Sequence, residues 1–250
     1  MEEKRTKKNR RAGKDPEKHA SNGFFRRFPP YVWITLVLIV SIQMTIFYGS
    51  HVFLPYLTFH SPATWLDLQI PLVPEWITVY FLSYLSWTVT VILVVAENKN
   101  HGYRFAMAYV TGLVISGIIF LAWPVTMERP EVAGTGFFYD WIRFLFAVDE
   151  PVNLFPSLHV LISYICFRGC IGCKKIPIGY TIGQGVFLIL VCFSVLFVKQ
   201  HLLIDIPAGL AVAEISWQLA RIFRAERFPF LLERTLKKKR RGADPDDFHG

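Results

Sequence analysis

Ser194-Val-Leu-Phe-Val-Lys-Gln-His-Leu-Leu-Ile-Asp-Ile-Pro-Ala-Gly209 joins one apolar run to the next, with Lys199, His201 and Asp205 inside it. The flanking runs are near the length that spans a bilayer, so these three groups sit at the edge of a membrane. His201 and Asp205 are spaced i, i+4. On a helix they lie about 40° apart on one face, within hydrogen-bond reach. A carboxylate on one imidazole nitrogen fixes the tautomer and raises the nucleophilicity of the other. Upstream, Asn153-Leu-Phe-Pro-Ser-Leu-His159 places a second histidine at the mouth of another apolar run. Two histidines, an aspartate and a few basic groups beside a membrane suggest chemistry on a phosphate.

The 250 residues are 53% hydrophobic, with mean hydropathy +0.36. Soluble domains are rarely that apolar. The expected fold is all-α, a polytopic membrane protein built as a six-transmembrane-helix bundle with cytoplasmic N- and C-termini. The spans are expected at about Tyr31–Gly49, Glu75–Ala96, Tyr103–Trp123, Ser157–Gly169, Ile176–Val198 and Leu202–Ile222. Pro55, Pro62, Pro71 and Pro74 mark 50–74 as a loop, and a short amphipathic piece is expected around Tyr139–Val148. Three regions follow: a disordered basic cytoplasmic tail (1–30), a six-helix membrane catalytic domain (31–222) and a charged cytoplasmic tail (223–250). The basic stretch before Tyr31 is too long for a signal peptide, so the first helix is expected to be retained.

Charge sets the orientation. Ten Lys/Arg fall in the first thirty residues, two in the loop at 97–104, three at 168–175 and nine after position 220. Placing all of these in the cytoplasm gives 24 of 27 inside, a strong positive-inside bias. The formal charge of +8 is therefore a matter of topology, and no nucleic-acid partner is expected. The remaining cations, Arg129, Arg143 and Lys199, fall on the opposite face with both histidines. Cys170 and Cys173 form a single CxxC, which reads as plain loop cysteines rather than a zinc site. Glu214 lies on the opposite face of the last span from Asp205, and no role is assigned to it.

Pro156 suits the first turn of a helix and Ser157 suits its cap. Backbone N–H groups at such a start, with the positive end of the helix dipole, make an anion site. Together with Lys199, His201 and Asp205 this pattern resembles the type 2 phosphatidic acid phosphatase superfamily of membrane lipid phosphatases and phosphotransferases. Pro156-Ser157-Leu158-His159 matches that family's Pro-Ser-Gly-His motif, with leucine for glycine. Ser194, His201 and Asp205 match the spacing of its third motif, with Val195 in place of arginine. Arg129-Pro130 matches the end of the first, with Ala122 in place of lysine. The likeness spans about residues 30–222 and is strongest to the branch that includes inositol phosphorylceramide synthase-like bacterial proteins.

The resemblance implies a metal-independent enzyme without cofactor, acting on a phospholipid or isoprenoid phosphate at the outer face of the cell membrane. It implies His201 as nucleophile, Asp205 as its orienting partner and His159 as acid and base. Arg129 and Ser157 would bind phosphate oxygens, with Lys199 and Arg143 as candidate replacements for the two missing cations. If neither replaces them, a diester such as a phospholipid head-group linkage suits the site better than a monoester. Two other classes use the same residues differently: a small transporter or lipid-flipping protein, and a catalytically inactive relative that binds lipid or acts as a scaffold.

Overall fold

The computed structural model describes residues 28–224, so the expected disorder of the two tails lies almost entirely outside the described residues. Eight α-helices occur among them. Six form the bundle: α1 (Pro30–His51), α3 (Ile77–Glu97), α4 (Lys99–Ala122), α6 (Leu158–Cys170), α7 (Ile178–Phe197) and α8 (Asp205–Ile222). Two are short and lie in loops, α2 (Trp65–Gln69) and α5 (Phe137–Val148). Among the described residues the fold is all-helical, as expected from the apolar blocks of the sequence.

Four of the six bundle helices are long and apolar enough to cross a membrane: α1, α3 with the turn before it, α4 and α7. At 1.5 Å per residue the 22 residues of α1 extend about 33 Å, close to a bilayer's hydrocarbon thickness. The 13 residues of α6 reach only about 20 Å. The last helix also begins at Asp205, three residues later than the sequence suggests, because 201–204 form a turn.

The short α6 lies at the centre of the bundle. Ten of its residues are buried, including Val160, Leu161, Ile162 and Ile165. It packs against α3, α4, α7 and α8, so neighbouring helices rather than solvent or lipid surround it. Buried hydrogen bonds tie the bundle across helices: Trp87 Nε1 donates to Ser163 Oγ at 2.9 Å, and the Tyr109 hydroxyl donates to Gln43 Oε1 at 2.8 Å. Such bonds fix helix register where lipid-like surroundings provide no alternative partner.

The two ends of the bundle differ. At one end the Glu97 carboxylate accepts from the backbone N–H groups of Lys174 and Lys175, and His101 Nε2 meets the Gly169 carbonyl at 2.7 Å. The ring of Tyr31, at the start of α1, lies 5.6 Å under the Lys99 ammonium, and Trp217, near the end of α8, lies under Arg168. The basic loops and both ends of the described chain therefore share one end. The other end gathers the start of α6, the end of α7 and the start of α8. Its loops are bound to one another through His60 N to Pro124 O (2.9 Å), Thr126 N to His60 O (3.0 Å) and Val73 N to Phe197 O (3.0 Å).

Candidate active site

The site is assembled where α7 stops. Lys199 takes a left-handed backbone conformation (φ 55°). Its N–H bonds the Leu196 carbonyl at 3.1 Å, and the Gln200 N–H bonds that of Val195 at 2.9 Å. This is a Schellman cap, which satisfies two of the carbonyls a helix end leaves open and turns the chain sharply. The residue in the left-handed position is lysine rather than the usual glycine. The turn projects Gln200 and His201 back over the bundle end.

His201 precedes α8 by four residues, so it does not share a helix face with Asp205. Asp205 is the first residue of α8 and its carboxylate reaches back into the turn. Oδ2 accepts from the Leu202 N–H at 2.8 Å and lies 3.2 Å from His201 Nδ1. The same nitrogen is 2.9 Å from the Leu154 carbonyl. A carbonyl oxygen only accepts, so Nδ1 carries a proton, and in the neutral ring Nε2 keeps its lone pair. Leu154 is held in turn by Asn153, at φ 58°, whose side chain donates to Ser50 Oγ at 2.6 Å at the end of α1. The His201 tautomer is thus fixed by one carboxylate and one backbone carbonyl from a distant loop.

His159 is the second residue of α6. The Ser157 hydroxyl caps that helix by accepting from Val160 N, and the Ser157 N–H donates to the Asp205 carbonyl at 3.2 Å, joining the starts of α6 and α8. Gly209 makes this approach possible: a Cβ there would stand 2.8 Å from the Ser157 carbonyl oxygen. The His159 ring stacks on Tyr80, centroids 4.2 Å apart, with Tyr84 and Trp87 at 5.4 and 5.1 Å. Its Nε2 is buried with no partner in the protein. The rings of His159 and His201 lie 6.1 Å apart.

Both histidines line a cavity of about 410 Å³. Its walls are largely apolar and aromatic, from Met44, Phe47, Tyr84, Trp87 and Leu145 among others, and its polar end carries Arg129, Asp149 and Gln200. The Arg129 guanidinium donates to the carbonyls of Lys199 (3.3 Å) and Asp149 (2.5 Å) and to Gln200 Oε1 (2.7 Å), and lies over the Phe146 ring. Burial lowers its pKa, opposed by the Asp149 carboxylate. Burial also pushes the Asp149 carboxyl up, against the pull of Arg129, His201 and His51.

Three expected phosphate ligands, Lys199, Arg143 and Ser157, do not line this cavity. The Lys199 ammonium turns away to the Asp67 carbonyl, 3.1 Å distant, and lines a second hollow of about 390 Å³ with Asp67 and Met127. The left-handed backbone at 199 sends consecutive side chains to different sides, so closeness in sequence to His201 does not carry over into space. Arg143 is bound on α5, donating to the carbonyls of Val132 and Gly134 and to the Asp140 carboxylate at 2.6 Å. Ser157 acts through its cap. Glu214 lies away from the cavity, taking hydrogen bonds from Tyr164 and Gln218.

The structure adds residues that sequence reading passes over. Gln200 and Asp149 line the cavity, and the Leu154 carbonyl holds His201. A backbone carbonyl has no signature in sequence. Gln200 and Asp149 do: each stands beside a residue already of interest, in a loop at the histidine-bearing end. Among the described residues no group of three or more His, Cys, Asp or Glu side chains is arranged to hold a metal ion. Comparison with family models, with curated proteins and with solved structures finds no match to this chain.

Proposed function

We propose that the chain is an integral membrane lipid-phosphate phosphatase or phosphotransferase that works through a phosphohistidine at the outer face of the membrane. All six bundle helices cross or enter the bilayer in this reading, with both termini in the cytoplasm. The distribution of Lys and Arg supports that orientation. The short α6 is accommodated because its neighbours, rather than lipid, cover it.

One observation carries the reading. His201, with Nδ1 tied to Leu154 and Asp205, offers a free Nε2 to a cavity shared with a second histidine 6.1 Å away. His201 Nε2 attacks phosphorus. An N–P bond forms, the P–O bond to the leaving group breaks, and its electron pair stays on the departing oxygen. Protonated His159 gives that oxygen its proton and becomes neutral. It then takes a proton from water or an acceptor alcohol, whose oxygen attacks phosphorus and releases His201. Asp205 steadies the positive charge that forms on the His201 ring. Arg129 meets charge on the equatorial oxygens. The aromatic walls suit the apolar part of an amphiphilic ester.

The test is turnover of mixed lipid phosphates by detergent-solubilised protein with EDTA present. Activity that survives EDTA and is lost in His201→Ala supports the proposal. Activity unchanged in His201→Ala, or none on any lipid phosphate, refutes it and favours a lipid-binding or scaffold role.

A further inference from the structure

We infer that the Gln200 side-chain amide donates to a phosphoryl oxygen, and that its neutrality suits the cavity to a singly charged phosphodiester rather than a doubly charged monoester. The inference rests on the phosphohistidine reading above and names its substrate class.

The orientation of the amide follows from its neighbour. A guanidinium only donates, so the Gln200 atom 2.7 Å from Arg129 Nη2 is the oxygen. Nε2 is therefore the other atom, and it is buried without any partner in the protein. Gln200 itself is 4% exposed and lines the cavity beside His159 and His201. A buried amide with idle N–H groups is unfavourable unless a ligand accepts from it. His159 Nε2, also buried and unpartnered, lines the same space. Gln200 and His159, each carrying a buried nitrogen without a partner, line one hollow with the Arg129 side chain, and a small rotation of either side chain would offer that nitrogen to a phosphoryl oxygen.

Charge selects among phosphates. The side chains lining the cavity include one permanent cation, Arg129, and two carboxylates, Asp149 and Glu150. Three of the five guanidinium N–H groups already serve Lys199, Asp149 and Gln200. The other two cations of this face, Lys199 and Arg143, are turned to protein carbonyls and to Asp140. A dianionic monoester would meet a field with too little positive charge. A diester needs less, and an uncharged donor at Gln200 serves it without adding any.

Gln200→Glu removes the donor and sets an acceptor of like charge against the phosphoryl oxygens. It keeps an oxygen for Arg129 and replaces Nε2–H with a second acceptor, so the fold should hold. Wild-type and variant protein in detergent with EDTA are assayed for diacylglycerol release from phosphatidate, a monoester, and from phosphatidylmethanol, a diester without a second charge. The expected result is a kcat/KM about tenfold or more higher for the diester in the wild type, and a comparable loss of it in Gln200→Glu. The variant's Tm should stay within about 2 °C of wild type. Preference for phosphatidate, or an unaffected variant, overturns the inference and leaves the enzyme reading intact. Should neither lipid turn over, calorimetry with dioctanoyl phosphatidylmethanol decides. Binding that Gln200→Glu abolishes keeps the diester site and removes the enzyme; no binding removes both.

Discussion

The rings of His159 and His201 meet edge to face with centroids 6.1 Å apart, although one opens α6 and the other lies in the turn before α8. Three contacts hold them there. Ser157 N–H donates to the Asp205 carbonyl, Asp205 Oδ2 lies against the His201 ring, and Gly209 lets the two helix starts close on each other. The pair is thus positioned by backbone and caps as much as by side-chain packing.

Asp205→Asn should lower kcat by about 100-fold or more while leaving KM for a lipid ester within a few-fold. Nδ1–H keeps its Leu154 acceptor, so the ring stays placed. What is lost is the negative charge opposing the imidazolium-like state. Steady-state kinetics on the purified variant give the answer, and a loss confined to KM would argue against this role.

His159→Asn should discriminate by leaving group. An alkoxide needs the proton that His159 supplies in the proposed mechanism, so lipid ester turnover should fall by about 10²–10⁴. A nitrophenyl phosphate ester, whose leaving oxygen is weakly basic, should lose far less in the first step. A burst of nitrophenol followed by slow turnover, with phosphate trapped on His201, is the expected trace.

Lys199→Ala should spare the chemistry and weaken the fold. The ammonium serves the Asp67 carbonyl and no cavity group, so kcat/KM should stay within a few-fold. Loss of that buried charged hydrogen bond should destabilise by about 1.5–3 kcal/mol. Thermal unfolding read beside activity separates the two effects.

The Asp67 carboxylate holds the loop at 58–72 against the turn that carries His201, accepting from Thr64 N, Thr64 Oγ and Leu203 N. Burial pushes its pKa up, but hydrogen bonds from Thr64 and Leu203 more than offset this and hold it below the ordinary value. A carboxyl with a folded pKa below its unfolded value stabilises at higher pH and loses that contribution as pH falls through the folded pKa. Tm should therefore be insensitive to this group at neutral pH and decline below about pH 4. In Asp67→Asn that part of the acid decline should be missing.

Gly209→Ala should separate the two helix starts. The new methyl group would sit 2.8 Å from the Ser157 carbonyl, a backbone atom that cannot swing aside. Destabilisation of about 1–3 kcal/mol is expected, with activity falling further than stability alone explains. Gly179→Ala meets nothing within 4 Å and serves as the control.

Much of this was legible in the residues themselves. Blocks of apolar side chains specify helices and their ends because a bilayer or a helical core offers backbone groups no other partner. The cap at Ser157 and the histidines near two helix starts follow from local chemistry. Tertiary structure alone decided which polar groups meet. The i, i+4 spacing of His201 and Asp205 suggests a shared helix face, yet a Schellman turn at Lys199 places His201 outside the helix and Asp205 reaches it from the first turn. That turn also sends Lys199 one way and Gln200 the other. Arg143 is held on α5 by the carbonyls of its own loop. Local patterns encode where chain segments stop and start, because capping and periodicity act over a few residues. Which side chains share a cavity depends on backbone dihedrals at a handful of turns and on how closely two helices approach, and these are set by the whole fold.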